Sequence, residues 1–231
     1  MRTGQVLTLI TTGLGAAAVP LQSRDVISHD AVVGFAESAS SVALKFKPWL
    51  KVVNGCVPFP AVDADGNTSG GLSPTGTSSA GCSSSTGQVY ARATEYNGNY
   101  AIMYSWYMPK DSPSSGLGHR HDWEAAVVWI DDASASNPNI VALSTSAHGD
   151  FDTITSNFPL DGTRPKIRYF SNWPVNHQLG TTDEKGGEEP LIEWDKLTQA
   201  ARDALTNTDF GSANVPFKDA NFQDNLGKAA P

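Results

Sequence analysis

Cysteine, positive charge and long apolar runs are all scarce in this chain. Only Cys56 and Cys82 are present among 231 residues, and 16 Lys and Arg stand against 24 Asp and Glu, a formal charge of −8. A negative field of that size repels phosphate backbones, and no Lys/Arg stripe or RNA-binding signature offsets it, so nucleic acid is a poor partner class. No run of about eighteen apolar residues exists, which rules out a resident spanning helix and means that membrane action must come from outside. His-Glu-x-x-His and Gly-x-Ser-x-Gly are missing too, and His119-Arg120-His121-Asp122 is not followed by the His of two-metal hydrolases.

Aromatic residues are plentiful. Six Trp, six Tyr and nine Phe supply the core of one large domain, and a chain of this length is ordinary for a single β sandwich or barrel. At the N-terminus Met1-Arg2-Thr3 precedes a mostly apolar stretch from Val6 to Val19, with small residues at Ala16-Ala17-Ala18 and then Pro20. That is a signal-peptide pattern over residues 1–20, with cleavage between 18 and 24, leaving 21–231 as one mature secreted domain; an ordinary buried segment is the alternative. In a secreted chain two cysteines suggest one disulfide, although two unrelated buried thiols would fit the count as well. The Ser-, Gly- and Pro-containing stretch between them has little order of its own, and closing a loop of about 25 residues contributes roughly 3 kcal/mol on the chain-entropy view.

Strand signals dominate the middle of the chain. Val89–Tyr96 and Tyr100–Met108 flank Asn97-Gly98, which predicts a hairpin. Period two then puts Tyr100, Ile102, Tyr104, Trp106 and Met108 on the core face, opposite the smaller Ala101 and Ser105. Trp123–Ile130, Asn139–Ser146 and Lys166–Phe170 add further short strands, and such repetition predicts a mainly β, antiparallel sandwich. Two helices are expected, one over Ser28–Ser38 capped by Ser28 or Asp30, the other from about Trp194 to Thr206. The last twenty residues, polar with scattered Phe, are expected to lie over the domain.

Chemistry concentrates between Pro109 and Glu124. If a strand begins at Asp122, Asp122 and Glu124 share a face, the Gly116–Gly118 turn frees His119 to join them, and Asp111 supplies a fourth donor from the end of the preceding strand. Three carboxylates and one imidazole form a hard donor set suited to Mg2+ or Ca2+ rather than structural zinc. The same charges could instead form a solvated loop with an Arg120–Asp pair. Spacing alone leaves both open.

Gly118-His119-Arg120-His121-Asp122-Trp123-Glu124 resembles the signature heptapeptide of the necrosis- and ethylene-inducing-like proteins of plant-associated microbes. The block Ala101–Pro113 resembles the same family, as do Gly55–Asp63 and Ser171–His177, and the two cysteines match its two-cysteine subtype. The resemblance implies a β-sandwich with peripheral α-helices, similar to actinoporins and fungal lectins, secreted by a fungus or oomycete and monomeric in solution. Its implied activity is cytolytic rather than enzymatic: cation-dependent binding of glycosylinositol phosphorylceramide glycans, disruption of eudicot plasma membranes, necrosis, ethylene production and immune responses. Carried over by position, the cation ligands fall on Asp111, His119, Asp122 and Glu124. His121 becomes supporting or structural, Arg120 a residue that orients carboxylates or touches glycan, and Trp123 core. Trp173 falls on a membrane- and sugar-facing loop, His177 near the metal pocket, and residues 101–124 on a segment sensed by plant pattern-recognition receptors. A non-toxic lectin-like or immune-recognised member and a secreted metal-dependent hydrolase remain as alternatives.

Overall fold

Twelve strands and three α-helices are present among the residues described by the computed structural model, 24–172 and 174–231. The segment expected to be a signal peptide and Trp173 lie outside the described residues. In chain order the strands are Val26–Ile27 (β1), Trp49–Val52 (β2), Thr68–Ser69 (β3), Val89–Tyr96 (β4), Asn99–Asp111 (β5), His119–Ile130 (β6), Ile140–Ala147 (β7), Asp150–Ile154 (β8), Leu160–Asp161 (β9), Arg164–Phe170 (β10), Gln178–Thr181 (β11) and Leu191–Glu193 (β12). The helices are Ser41–Lys45 (α1), Gln199–Asn207 (α2) and Asp219–Ala229 (α3).

The larger sheet runs β12-β4-β5-β6-β7-β8 and the smaller β11-β10-β2, with β9 paired to β10. The β4–β8 ladder is antiparallel throughout, while β12 on β4, β2 on β10 and the short β1 on β3 pair in parallel, as does an isolated bridge from Ser38 to Ile192. The expected hairpin forms with Tyr96 opposite Asn99. Its heavy face is core, and Tyr104 donates from it to the Ala43 carbonyl at 2.6 Å. The lighter face is buried as well, with Ala101 and Ser105 fully enclosed.

The cover over that second face comes from the C-terminal segment. Phe210 and Phe217 pack on Trp123, and α3 buries Phe222, Leu226 and Ala229. The last residues do lie over the domain, but partly as a helix that their polarity concealed. Each such enclosed aromatic contributes roughly 1.5–3 kcal/mol by leaving water, and this double cover makes β5 and β6 rigid enough to carry a site at their ends.

Two helix expectations need correction. Residues 28–38 form a turn and extended chain, and the first helix instead starts at Ser41, where Ser40 accepts from the Ala43 amide. The helix expected from Trp194 is interrupted. Trp194–Lys196 is a single 3-10 turn, Leu197 and Thr198 are extended, and α2 begins only after Thr198 caps the Ala201 amide.

Cys56 and Cys82 form a disulfide with Cα atoms 5.0 Å apart. The polar loop they close is ordered from outside. The buried Lys110 ammonium donates to the Thr75 and Thr77 carbonyls at 2.9 and 3.1 Å, and the Gly116 amide to that of Pro74 at 2.7 Å. This lashes the loop to the β5–β6 turn, directly behind the residues of interest.

Candidate functional site

Strict alternation along β5 and β6 would put Asp111 and His119 on the face opposite Met108 and Asp122. The ladder breaks at Lys110, which faces both Arg120 and His121, and His121 takes a left-handed φ of 66°. The break re-aims the strand ends. Asp111, His119, Asp122, Glu124, Asn176 and His177 all line one cavity of about 810 Å3. The expected four donors therefore share a pocket, although β6 begins at His119 rather than Asp122, and the irregularity at His121 does the work assigned to the Gly116–Gly118 turn. Gly118 has its own role: at φ 99° its ideal Cβ would sit 2.1 Å from the Asp111 carbonyl oxygen, so only glycine lets the turn close.

Each donor is held by a neighbour. The Asp111 carboxylate accepts from His177 Nδ1 at 2.6 Å and from the His177 amide at 3.1 and 3.3 Å. His177 stacks on Tyr169 with ring centroids 4.6 Å apart. The Tyr169 hydroxyl donates to Asp122 at 2.7 Å, and the Ser146 hydroxyl bonds Glu124 while accepting from the Ala125 amide at 2.9 Å. His119 Nδ1 lies 2.7 Å from the His121 carbonyl, which can only accept, so the ring carries its proton there and presents the Nε2 lone pair. That nitrogen lies 3.2 Å from the Asn176 amide nitrogen and 3.7 Å from Asp111.

The electrostatics are unbalanced. Asp111, Asp122 and Glu124 are nearly inaccessible, and among the described residues none has a Lys or Arg partner. Burial, followed by the nearby Asp111 charge, pushes Asp122 up to about 7; burial, followed by Asp122, holds Glu124 well above the usual carboxylate range. Among the described residues no three acidic, His or Cys side chains are drawn into mutual ligating distance. The donor set nevertheless suits a hard cation. Among the described residues the three buried carboxyl groups have no Lys or Arg partner, His119 turns Nε2 toward Asp111, and His177 Nε2 is buried without a hydrogen-bond partner.

The remaining candidates divide. His121 turns its ring away from the carboxylates, bonding the Tyr107 hydroxyl at 2.7 Å and meeting Phe210 edge-on, so its part is structural and its carbonyl fixes His119. Burial, with Arg120 beside it, lowers its pKa to about 4 and keeps the ring neutral. The Arg120 guanidinium donates to the Gly70 carbonyl at 2.6 Å and to Ser73 at 3.0 Å; among the described residues it forms neither the Asp pair nor a carboxylate-orienting contact. Trp123 is core, and Trp173 lies outside the described residues. Sequence reasoning passed over Tyr169, Ser146, Asn176 and Gly55. Gly55 leaves room for His177, whose Nε2 would be 2.6 Å from an added Cβ. Asn176, beside His177, and Gly55, at the head of the Gly55–Asp63 block, carried a local signal; Tyr169 and Ser146 carried none.

A profile of the family described as necrosis inducing protein (NPP1) matches residues 40–229. The necrosis-inducing protein NPP1 of Phytophthora nicotianae is 54% identical over 232 residues, spanning 95% of this chain and 98% of that protein. Among solved structures, NLPPya in complex with mannosamine superimposes with a TM-score of 0.83 at 56% identity, covering 88% of this chain and 98% of its own, and NLPPya is also solved with glucosamine. HaNLP3, described as non-toxic, superimposes with a TM-score of 0.85 at 42% identity, covering 88% and 99%. A profile match over residues 40–229 and a relative more than half identical along almost its whole length lead to one conclusion: the chain belongs to the necrosis inducing protein (NPP1) family.

Proposed function

We propose that this chain is a secreted necrosis-inducing cytolysin, not an enzyme, which recognises sugar headgroups on the outer leaflet of plant plasma membranes, glycosylinositol phosphorylceramides in particular. Asp111, His119, Asp122 and Glu124 are the residues that would hold the divalent cation, Mg2+ or Ca2+. The observation that carries this reading is a pocket of three buried carboxyl groups with no Lys or Arg partner among the described residues, in a chain whose relative NLPPya is solved in complex with amino sugars. When bound, the cation supplies neutralising charge and coordination positions for sugar hydroxyls. The chain's own residues do the rest: the carboxylates accept hydroxyl or ammonium protons, Tyr169, Ser146 and His177 fix the carboxylates, and Asn176 offers an amide beside His119.

The N-terminal pattern and relatives named as effectors support secretion. Recognition by plant receptors through residues 101–124 would, in the folded protein, reach chiefly residues 113–120, because the rest of that segment is buried. A second reading, a lectin-like or immune-recognised protein without toxicity, is favoured by HaNLP3, which shares the fold and is described as non-toxic.

Calorimetric titration with glucosamine tests the recognition step. Binding is expected in Mg2+ or Ca2+ and is expected to fall at least tenfold when a chelator is added. Equal binding in chelator would remove the cation from this account.

A further inference from the structure

The cavity extends beyond the carboxylates. Strand β6 pairs with β7 only from Ala126 onward, so among the described residues its outer edge has no partner strand between His119 and Ala125. The cavity crosses that edge. Asp122 and Glu124 line it from one face of the sheet, and Trp123 and Ala125 from the other, where the C-terminal segment packs. At this second end the wall is α3, whose Asn221, Asp224, Asn225 and Lys228 recur at helical spacing. The helix thus buries Phe222, Leu226 and Ala229 and turns a polar row into the cavity.

This row is pre-arranged. Asn221 Nδ2 donates to the Val215 carbonyl and Asn225 Nδ2 to that of Pro216, both at 2.9 Å, and neither Oδ1 acceptor has a partner among the described residues. Lys228 Nζ donates to the Gly149 carbonyl at 2.8 Å and ties the helix to the β7–β8 turn. Asp224 is exposed and has no hydrogen-bond or ion-pair partner among the described residues. Fixed acceptors, one cation and the apolar Ala213 and Pro216 beside them are the surface a sugar ring needs, with hydroxyls at its edge and C–H groups on its face. A volume of about 810 Å3 also lies in the range, roughly 300–1,000 Å3, of pockets that enclose ligands larger than one hexose.

We propose that the cavity is a two-unit carbohydrate site, with one sugar at the carboxylate end and a second, linked sugar held across the β6 edge by the polar face of α3. This rests on the reading that the carboxylate end binds a sugar. The preferred ligand is then an oligosaccharide headgroup rather than a single terminal residue, and α3 contributes to glycan selectivity.

The test compares glucosamine with a panel of glucosamine-terminated disaccharides of different linkage, titrated into the full folded protein and into Asp224→Ala and Lys228→Ala. Both substituted positions are exposed, and thermal melting confirms that each variant is folded. At least one disaccharide is expected to bind about tenfold more tightly than glucosamine, and Asp224→Ala is expected to remove that gain while leaving glucosamine affinity unchanged. Lys228→Ala is expected to do the same and guards against a local effect of either change. The proposal is overturned if no disaccharide exceeds glucosamine, or if the gain survives both variants. Absence of glucosamine binding to the unaltered protein would overturn the underlying reading, and the proposal with it, and is distinguishable from both.

Discussion

Replacing Gly118 with alanine is expected to destabilise the protein by more than about 3 kcal/mol and to abolish sugar and cation binding together. A positive φ costs alanine roughly 1–2 kcal/mol, and the added methyl would overlap the Asp111 carbonyl oxygen at 2.1 Å and press on Pro113 at 3.2 Å. Backbone atoms cannot yield as a flexible side chain would, so the turn must open, and Asp111 and His119 part. Gly116 supplies the control: its φ is 80°, yet nothing lies within 4 Å of its ideal Cβ. Gly116→Ala is expected to cost about 1 kcal/mol and to leave binding intact. Thermal unfolding and glucosamine titration of the two variants check both statements, and equal behaviour of the two would show that close approach at Gly118 does not set the site.

Asp122→Asn is expected to have opposite effects on stability and binding. Asp122 is held near 7 when folded against 3.8 in the unfolded chain, so the folded state binds its proton more tightly. The stability it contributes is complete below pH 3.8 and is lost as pH rises through about 7, and Glu124 shifts in the same direction. Cation-free protein is therefore expected to be less stable at pH 8 than at pH 5, on the order of 3 kcal/mol. A divalent cation at a hundred times its dissociation constant would restore about 2.7 kcal/mol. Asparagine can still accept from Tyr169 but carries no charge. The variant should be more stable than the parent at pH 8 in chelator, and should gain nothing from Mg2+ or Ca2+. Denaturant unfolding at the two pH values, with and without cation, measures this; a variant less stable than the parent in chelator at pH 8 would show that the three carboxylates are not in conflict.

Strand positions were legible because their signals are local. Tyr100 to Met108 alternate cleanly, and Asn97-Gly98 marks the turn whatever surrounds it. That Asp111, His119, Asp122 and Glu124 share a pocket was legible for a similar reason, since they lie within fourteen residues on two adjacent strand ends. What holds them was hidden by distance: Tyr169 reaches Asp122 across 47 residues, and His177 reaches Asp111 across 66. The left-handed His121 was hidden because it breaks the alternation used to place its neighbours. At the C-terminus α3 was missed because its buried apolar positions are only Phe222, Leu226 and Ala229, spaced among residues that read as loop. Ser28 and Asp30 looked like caps, but the apolar residues after them, Val32 to Phe35, do not fall on one helical face.

The most direct test of the central claim is dye leakage from vesicles containing plant glycosylinositol phosphorylceramide, with glycan-free vesicles alongside, comparing mature protein, protein in chelator and Asp122→Asn. The account predicts rapid leakage only from the glycolipid vesicles, only with divalent cation, and none with the variant. Leakage that persists in chelator and in Asp122→Asn, or equal leakage from glycan-free vesicles, would contradict it.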